Sequence, residues 1–363
     1  MEFLSELGLF AAQAVTLLVI ILLLALGLVA ISQRHRGEHD GHVEITKINQ
    51  RAEHVSDTLN HAINDPQTWK AETKARKKTE KTLARQRKKA LKARKPDKAK
   101  ESESSADEPQ RERPVVFVLD FDGDIHASAT ENLREEISAI VPQLTKGDEV
   151  LVRLESPGGV VHGYGLAASQ LSRIRDTGTP LTICVDKVAA SGGYMMACVA
   201  DRIIAAPFAV IGSIGVLAQL PNFHRLLKKN DIDFELLTAG EYKRTLTLFG
   251  ENTDKGREKF VEELEETHAL FKHFVKANRP ALEIDRVATG EIWYGQQAVD
   301  KGLVDELATS DAIIQAKLKD NDVFEIRFVR KRNWQEKLGI AAEAALERSV
   351  LRLWQYGVSR RLP

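Results

Sequence analysis

A run of 25 residues from Leu7 to Ile31 carries no charged side chain and constrains the chain more than any other feature. About 20 apolar residues are enough for a helix to cross the hydrocarbon core of a bilayer. A cleaved signal peptide has positive charge before a shorter apolar region, whereas acidic residues precede this run and Arg34 and Arg36 follow it. The sequence therefore predicts a retained N-terminal transmembrane anchor within residues 1–36.

A strongly basic segment follows the predicted anchor. Between Lys70 and Lys100 there are 15 Lys or Arg residues and three acidic residues. This composition is typical of a solvated helix or a disordered spacer, and attraction to anionic lipid headgroups is the functional alternative. Residues 101–114 have the composition of a linker, which Pro114 ends. We therefore predict a charged helical or disordered region with a linker over residues 37–114.

Overall composition excludes several classes of protein. The 52 Lys and Arg residues balance the 52 Asp and Glu residues, so no net field attracts the chain to nucleic acid. Cys184 and Cys198 are too few for a disulfide framework or a multi-cysteine metal site, and we expect buried free thiols. The sequence has no metal-ligand cluster and no glycine motif for nucleotides. We therefore predict no cofactor, no metal and no nucleic-acid partner.

From Val115 onward, short apolar strands alternate with helical patterns. The strand candidates are VVFVLDF, VLVRLE, LTICVD and RIIAAP, and each is followed by a turn or a helical pattern. This alternation predicts a layered α/β domain, which we place at residues 115–322. In the remaining residues 323–363, the apolar positions between Trp334 and Ser359 follow helical spacing. This amphipathic helix would pack on its own or a neighbouring subunit, or lie on a membrane surface.

Two glycine-rich segments lie where predicted strands end and helices begin. They are ESPGG at Glu155–Gly159 and AASGGY at Ala189–Tyr194. Unpaired backbone N–H groups point outward at such junctions, and glycine lets a substrate approach them closely. Ser191 could attack a carbonyl carbon while these N–H groups bind the developing oxyanion. The structural alternative is that Ser191 only caps a helix.

Five motifs occur in a fixed order along the chain: SPGG, ASGGYMMACVAD, GSIGV, GEYKR and GEIWYGQQAVDKGLVDEL. As a set they resemble the signal peptide peptidase A family of serine peptidases, and the N-terminal layout is most similar to its SohB branch. The resemblance implies an α/β, ClpP/crotonase-like layered fold and a serine–lysine dyad. It also implies a homo-oligomeric ring in which neighbouring subunits build the cleft.

The resemblance gives catalytic roles to three side chains. Ser191 would be the nucleophile, Lys243 in GEYKR the general base, and Ser213 in GSIGV the partner of the lysine amine. A lysine accepts a proton only in its neutral form, which burial favours, and apolar residues surround Lys243 in the sequence. Lys187 and His162 are the alternative bases, although Lys187 directly follows a carboxylate and fits a solvated turn.

The resemblance also implies an oxyanion hole made by backbone N–H groups. Gly158 and Gly192 would supply these groups, with Gly159 as the next choice. One position departs from the family pattern, because Glu291 stands where the family usually has arginine. The effect of this departure is open at the level of sequence.

The prediction for function is a membrane-anchored serine endopeptidase that cleaves membrane-derived or misfolded polypeptides. Its partners would be polypeptide substrates, the lipid bilayer and further copies of itself. An acyl-thioester enzyme of the crotonase type and a catalytically silent oligomeric membrane scaffold are the alternatives. The predicted location is the cell inner membrane. The side of the catalytic domain is open, because flanking charge favours the cytoplasm and the resemblance favours the outer side.

Overall fold

The computed structural model describes residues 41–64, 78–79, 81–82, 85–86, 111 and 113–330. The predicted anchor, most of the basic segment and the predicted C-terminal helix lie outside these residues. Within them, no helix has both the length and the apolar character needed to cross a bilayer. The chain divides into two compact units, residues 1–42 with 328–363 and residues 43–327. The second contains the features described below, except for residues 41–42 and 328–330 at two strand ends.

A twisted sheet of mainly parallel strands forms the centre of this unit. In the described part of the chain, the strands of this sheet lie in the order β1-β10-β2-β3-β4-β6-β9. The strands are β1 (Gly41–Lys47), β2 (Val115–Asp122), β3 (Glu149–Glu155), β4 (Leu181–Val185), β6 (Arg202–Ala205), β9 (Glu306–Leu307) and β10 (Asp322–Arg330). Pairing is parallel from β10 through β9. The predicted α/β fold with a central sheet is confirmed, and the finer ClpP/crotonase-like assignment stays a prediction.

Apolar cores cover both faces of this sheet, which explains why its central strands are mostly apolar in sequence. On one face lie helices α2 (Thr130–Ile140) and α3 (Val161–Arg175), with a short 3₁₀ turn at Val141–Gln143. The buried side chains of α3 recur at helical spacing and are Tyr164, Ala167, Ala168, Leu171 and Ile174. Ile314 of helix α9 (Ser310–Lys317) packs on the other face. Both cysteines are buried free thiols, as predicted, and burial raises the pKa of each to about 12.

Three elements lie at or beyond the predicted domain limits. Residues 41–63, assigned to the spacer from sequence, form β1 and helix α1 (Ile48–Ile63). Strand β10 continues the sheet across the predicted boundary between residues 322 and 323. The domain limits themselves stay a prediction.

A second, smaller sheet carries the segments of chemical interest. It consists of β5 (Val188–Ala190), β7 (Val210–Gly212) and β8 (Ile292–Tyr294) in the order β5-β7-β8. Strand β5 runs parallel to β7, and β8 runs antiparallel to β7. Helix α4 (Gly192–Ala197) begins directly after β5 and Ser191 and is buried along its whole length. The small sheet therefore fixes the positions of Ser191 and Ser213, each of which directly follows one of its strands.

A long segment follows β7 in the chain. It contains the short helix α5 (His224–Lys229) and leads into the long helix α6 (Asp254–Asn278). Helices α7 (Ile284–Val287) and α8 (Gly295–Asp300) flank β8 in the chain. Most residues from 217 to 249 are exposed, and this segment carries the GEYKR motif.

Candidate active site

The two glycine-rich segments meet at the join between the two sheets. Ser156 N–H donates to Val188 O at 2.8 Å, and Ala190 N–H donates to Ser156 O at 3.0 Å. These bonds hold the SPGG turn against β5. A Cβ atom added to Gly158 would lie 2.7 Å from Ser191 Cβ and 2.9 Å from Gly192 N. The two segments that the sequence identifies separately are therefore walls of one site.

Ser191 has a backbone conformation that L-residues rarely adopt, with φ 51° and ψ −117°. Such conformations cost on the order of 1–3 kcal/mol and persist only where surrounding contacts impose them. Here Ser191 N–H donates to Gly212 O at 2.8 Å, and Ser191 O accepts from Met195 N–H at 3.0 Å. The hydroxyl makes no capping hydrogen bond to helix α4, although Ser191 occupies the N-cap position. Helix capping therefore does not account for this serine.

Ser213 lies beside Ser191 because of the register of the small sheet. Ala190 of β5 pairs with Gly212 of β7, so the two serines are the next residues on neighbouring parallel strands. Ser213 also has a positive φ, 52°, and its N–H donates to Glu291 O at 2.7 Å. Both serines are half-buried. The structure thus brings together the predicted nucleophile and the predicted partner of the base.

Comparison with known proteins adds the decisive observation to this geometry. A family profile described as Peptidase family S49 matches residues 173–323, and one described as Peptidase family S49 N-terminal matches residues 2–171. The chain belongs to peptidase family S49. It is accordingly a protease, an enzyme that hydrolyses peptide bonds, and the prediction of this enzyme class is confirmed.

Curated relatives cover nearly the whole chain. "Probable protease SohB" of Haemophilus influenzae is 51% identical over 94% of this chain and 94% of its own length. "Probable protease SohB" of Buchnera aphidicola subsp. Schlechtendalia chinensis is 48% identical over 86% of this chain and 99% of its own length. A solved structure of an alanine mutant of 1510-N, a membrane-bound stomatin-specific protease, aligns with a TM-score of 0.37 at 14% identity. That alignment covers 56% of this chain and 84% of the other.

The structure separates the three glycines proposed for the oxyanion hole of this S49 protease. Gly158 N–H donates to the buried Ser156 Oγ at 3.1 Å, so it points into the protein. Within residues 113–330, the N–H groups of Gly159 and Gly192 have no hydrogen-bond partner. Of the two glycines in the SPGG turn, Gly159 therefore has the available donor, and the assignment of the oxyanion hole stays a prediction. Ser156 was missed from sequence, although its place before Pro-Gly-Gly at a strand end marks it as a turn residue.

The structure requires glycine at position 158 because the backbone there has a positive φ and because Ser191 lies close to it. We expect Gly158→Ala to lower kcat by about 100-fold, because its φ is 89° and the new Cβ would displace Ser191. Gly178→Ala is the matched control, since Gly178 has φ 76° and no atom near the added Cβ. Both substitutions should cost about 1–2 kcal/mol of stability from the backbone alone. Denaturant unfolding and kcat measured on both variants test this. Equal activity of the two variants would contradict the expectation.

The structure does not bury Lys243 within a single chain. Lys243 is exposed, and its Nζ has no hydrogen-bond or ion-pair partner within residues 41–64 and 113–330. Its sequence neighbours Leu237 and Phe249, expected to provide apolar cover, are 90% and 41% exposed. The prediction of a lysine buried by its own segment is therefore wrong for the isolated chain.

The backbone around Lys243 is nevertheless held in place. Lys243 N–H donates to Gly240 O at 3.2 Å, which closes a tight turn. The preceding Glu241 pairs with Lys255 of α6 at 2.6 Å, and Lys255 and Lys259 lie over the Tyr242 ring at 5.9 and 5.6 Å. Glu241 and Tyr242 of GEYKR are therefore anchored to the first turns of α6, while the Lys243 amine has no partner among the described residues.

Of the two alternative bases, Lys187 is poorly suited to accept a proton. Lys187 Nζ lies 2.8 Å from Glu155, and hydrogen bonding to that carboxylate raises the pKa of Lys187 above the ordinary lysine value. The partner is Glu155 rather than the adjacent Asp186, which instead accepts a hydrogen bond from Ser310 N–H at 2.8 Å. A raised pKa keeps an amine protonated to higher pH, so Lys187 is not a base near neutrality. His162 is an exposed residue in the first turn of α3.

The motif GEIWYGQQAVDKGLVDEL supports the small sheet through its backbone. Strand β8 pairs with β7, and Gly290 N–H donates to Ile214 O at 3.2 Å. Glu291 uses its carbonyl oxygen to hold Ser213, whereas its exposed carboxylate accepts from Thr289 Oγ1 at 2.7 Å. Because the support comes from the main chain, the departure at Glu291 leaves the position of Ser213 intact.

Proposed function

We propose that this S49 protease is a membrane-anchored serine endopeptidase with Ser191 as nucleophile and Lys243 as general base. The observation that carries the proposal is the strained, uncapped Ser191 at the meeting point of two glycine-rich turns. The neighbouring Ser213, also at positive φ, supports it. A crotonase-type acyl-thioester reaction needs paired N–H donors but gives no reason for a strained serine at this point.

The reaction proceeds in two steps through an acyl-enzyme. Ser191 Oγ attacks the carbonyl carbon of the scissile peptide while its proton passes to the neutral amine of Lys243. The N–H groups of Gly159 and Gly192 bind the oxyanion, and each such donor is worth roughly 3–4 kcal/mol in a related setting. The lysine returns the proton to the leaving amine. Water then attacks the ester carbonyl, with the same lysine acting as base, and releases Ser191.

We further propose that a second copy of the chain completes the cover of Lys243. The segment of residues 217–249, which carries GEYKR, has several exposed large apolar side chains, among them Leu217 at 78% and Leu237 at 90%. The exposed rings of Phe223 and Phe234 both pack on Phe249, so part of this apolar surface is contiguous, as is typical of an interaction site. Packing of this segment on a neighbouring subunit would remove water from the lysine and favour its neutral form.

The apolar run Leu7–Ile31 supports the proposed anchor, which would place the protease at the cell inner membrane near membrane-derived or misfolded polypeptides. We expect the full chain to stay with membranes during alkaline carbonate extraction and a variant beginning at residue 37 to be released. Release of the full chain would contradict the anchor. A reporter fused after Pro363 would identify the side of the membrane.

Hydrolysis of an unfolded, fluorescently labelled protein by the full chain in detergent tests the proposed reaction. We expect a fluorophosphonate that esterifies active serines to stop hydrolysis in proportion to the fraction of enzyme labelled. Hydrolysis that continues after complete labelling would contradict an acyl-enzyme on serine.

A further inference from the structure

A chain of buried hydrogen bonds lies directly behind the SPGG turn. Gly158 N–H donates to Ser156 Oγ at 3.1 Å, and Ser156 Oγ donates to Tyr164 Oη at 2.6 Å. Tyr164 Oη in turn donates to Asp124 O at 2.7 Å. Each hydroxyl donates once and accepts once, so the direction of the chain is fixed. Ser156 and Tyr164 are both 0% exposed, which removes competition from water.

The Tyr164 ring also contacts the residue that follows the nucleophile. A Cβ atom added to Gly192 would lie 2.4 Å from Tyr164 Cγ, so the ring packs directly on the Gly192 backbone. The hydroxyl end packs just as closely on Gly123, where an added Cβ would lie 2.5 Å from Oη. Through Gly192 and Ser156, this one side chain therefore contacts both glycine-rich segments of the candidate site.

Burial keeps this tyrosine in the form that can donate. Burial raises the pKa of the Tyr164 hydroxyl, against a smaller opposing effect of its hydrogen bond with Ser156. The proton needed for the bond to Asp124 O is thus retained near neutral pH.

The hydrogen-bond chain fixes which N–H group of the turn faces the substrate. It engages Gly158 N–H on the inner side, and the Gly159 N–H has no partner within residues 113–330. We propose that Tyr164 and Ser156 are positioning residues that orient the Gly159 and Gly192 N–H groups for the substrate's carbonyl oxygen. This inference rests on the proposed function, in which these two groups bind the oxyanion formed by attack of Ser191.

The test uses Tyr164→Phe and Ser156→Ala in the full chain. Ser156→Ala removes the acceptor of Gly158 N–H, and Tyr164→Phe removes the hydroxyl that orients this acceptor. We therefore expect kcat to fall by about 10–100-fold with KM nearly unchanged, less than the loss of a whole oxyanion donor. The double variant should be no slower than the slower single variant, because both changes break one chain of bonds. Tyr194→Phe is the matched control, since Tyr194 is fully buried and donates to Leu303 O at 3.0 Å, away from the turn.

A second readout separates orientation of the donors from general loosening of the fold. Sulfur accepts hydrogen bonds poorly, so the ratio of kcat/KM for a peptidyl ester to that for its thionoester reports on the oxyanion donors. We expect this ratio to fall in Tyr164→Phe and Ser156→Ala and to stay at the wild-type value in Tyr194→Phe. Rates are normalised to the amount of Ser191 that a fluorophosphonate titrates at completion, so unfolded protein does not contribute.

Two outcomes overturn different parts of the account. If Tyr164→Phe and Ser156→Ala both keep the wild-type kcat and the wild-type ester-to-thionoester ratio, the positioning role is removed. The role of Ser191 as nucleophile is not affected by that result. Wild-type hydrolysis by Ser191→Ala in the same assay would instead remove the proposed function. If Tyr164→Phe does not fold, the comparison of Ser156→Ala with Tyr194→Phe decides the positioning role.

Discussion

Replacement of Ser191 by alanine is expected to lower the rate of peptide hydrolysis by about 10⁴-fold or more, because no acyl-enzyme can form without its oxygen. The fold should survive. The strained position of Ser191 is held by backbone bonds to Gly212 and Met195, and alanine can make both. The hydroxyl makes no capping bond whose loss would weaken helix α4.

Thermal unfolding and hydrolysis of the unfolded-protein substrate, measured side by side, check this prediction. A melting temperature within about 2 °C of wild type shows that lost activity comes from lost chemistry, because 1 kcal/mol shifts the midpoint of a domain this size by about 2–4 °C. Ser213→Ala is the matched control at the neighbouring strand end, and its activity should fall by a smaller step. Undiminished hydrolysis by Ser191→Ala would remove this serine from the reaction.

Replacement of Lys243 by alanine should abolish nearly all activity, whereas Lys187→Ala should retain activity within about 3-fold of wild type. The reason is that Lys187 is paired with Glu155, which raises its pKa and keeps it protonated. The Lys243 amine has no such partner among the described residues and lies in the turn that α6 anchors. The initial rate of acylation by a fluorophosphonate is the measurement. A slow Lys187→Ala with a fast Lys243→Ala would reverse the assignment.

Mixing the two inactive variants tests whether neighbouring copies share one site. If Lys243 of one subunit serves Ser191 of another, oligomers of Ser191→Ala and Lys243→Ala subunits contain some intact sites. Co-expression should then restore a measurable fraction of wild-type activity. The same mixture stays inactive if each chain uses its own Lys243, which would limit the second copy to covering the lysine and exclude a site shared between subunits.

The main sheet could be predicted from sequence because its strands have a strong local signal. Strands such as β2 and β3 are largely buried on both faces, so they appear as mostly apolar runs separated by amphipathic helices. The three-residue strands β5, β7 and β8 are too short to give a periodic pattern, so the small sheet could not be predicted. It is the small sheet that aligns Ser191 with Ser213.

The candidate site divides in the same way. Its serines and glycines occur in motifs, so they could be named from sequence. The direction of a single N–H group depends on side chains that lie behind it, such as Ser156 and Tyr164, and no motif encodes that direction. Burial of Lys243 could not be judged from apolar neighbours in sequence, because those neighbours face outward in the single chain.

The location of the covalent adduct left by a fluorophosphonate tests the central claim most directly. The full chain is labelled in detergent, digested and mapped by mass spectrometry, which distinguishes Ser156, Ser191 and Ser213 as sites. The account predicts one adduct per chain, on Ser191, because Ser156 is fully buried and Ser213 serves only as partner of the base. An adduct on a different serine, or loss of hydrolysis while Ser191 stays unlabelled, would contradict it.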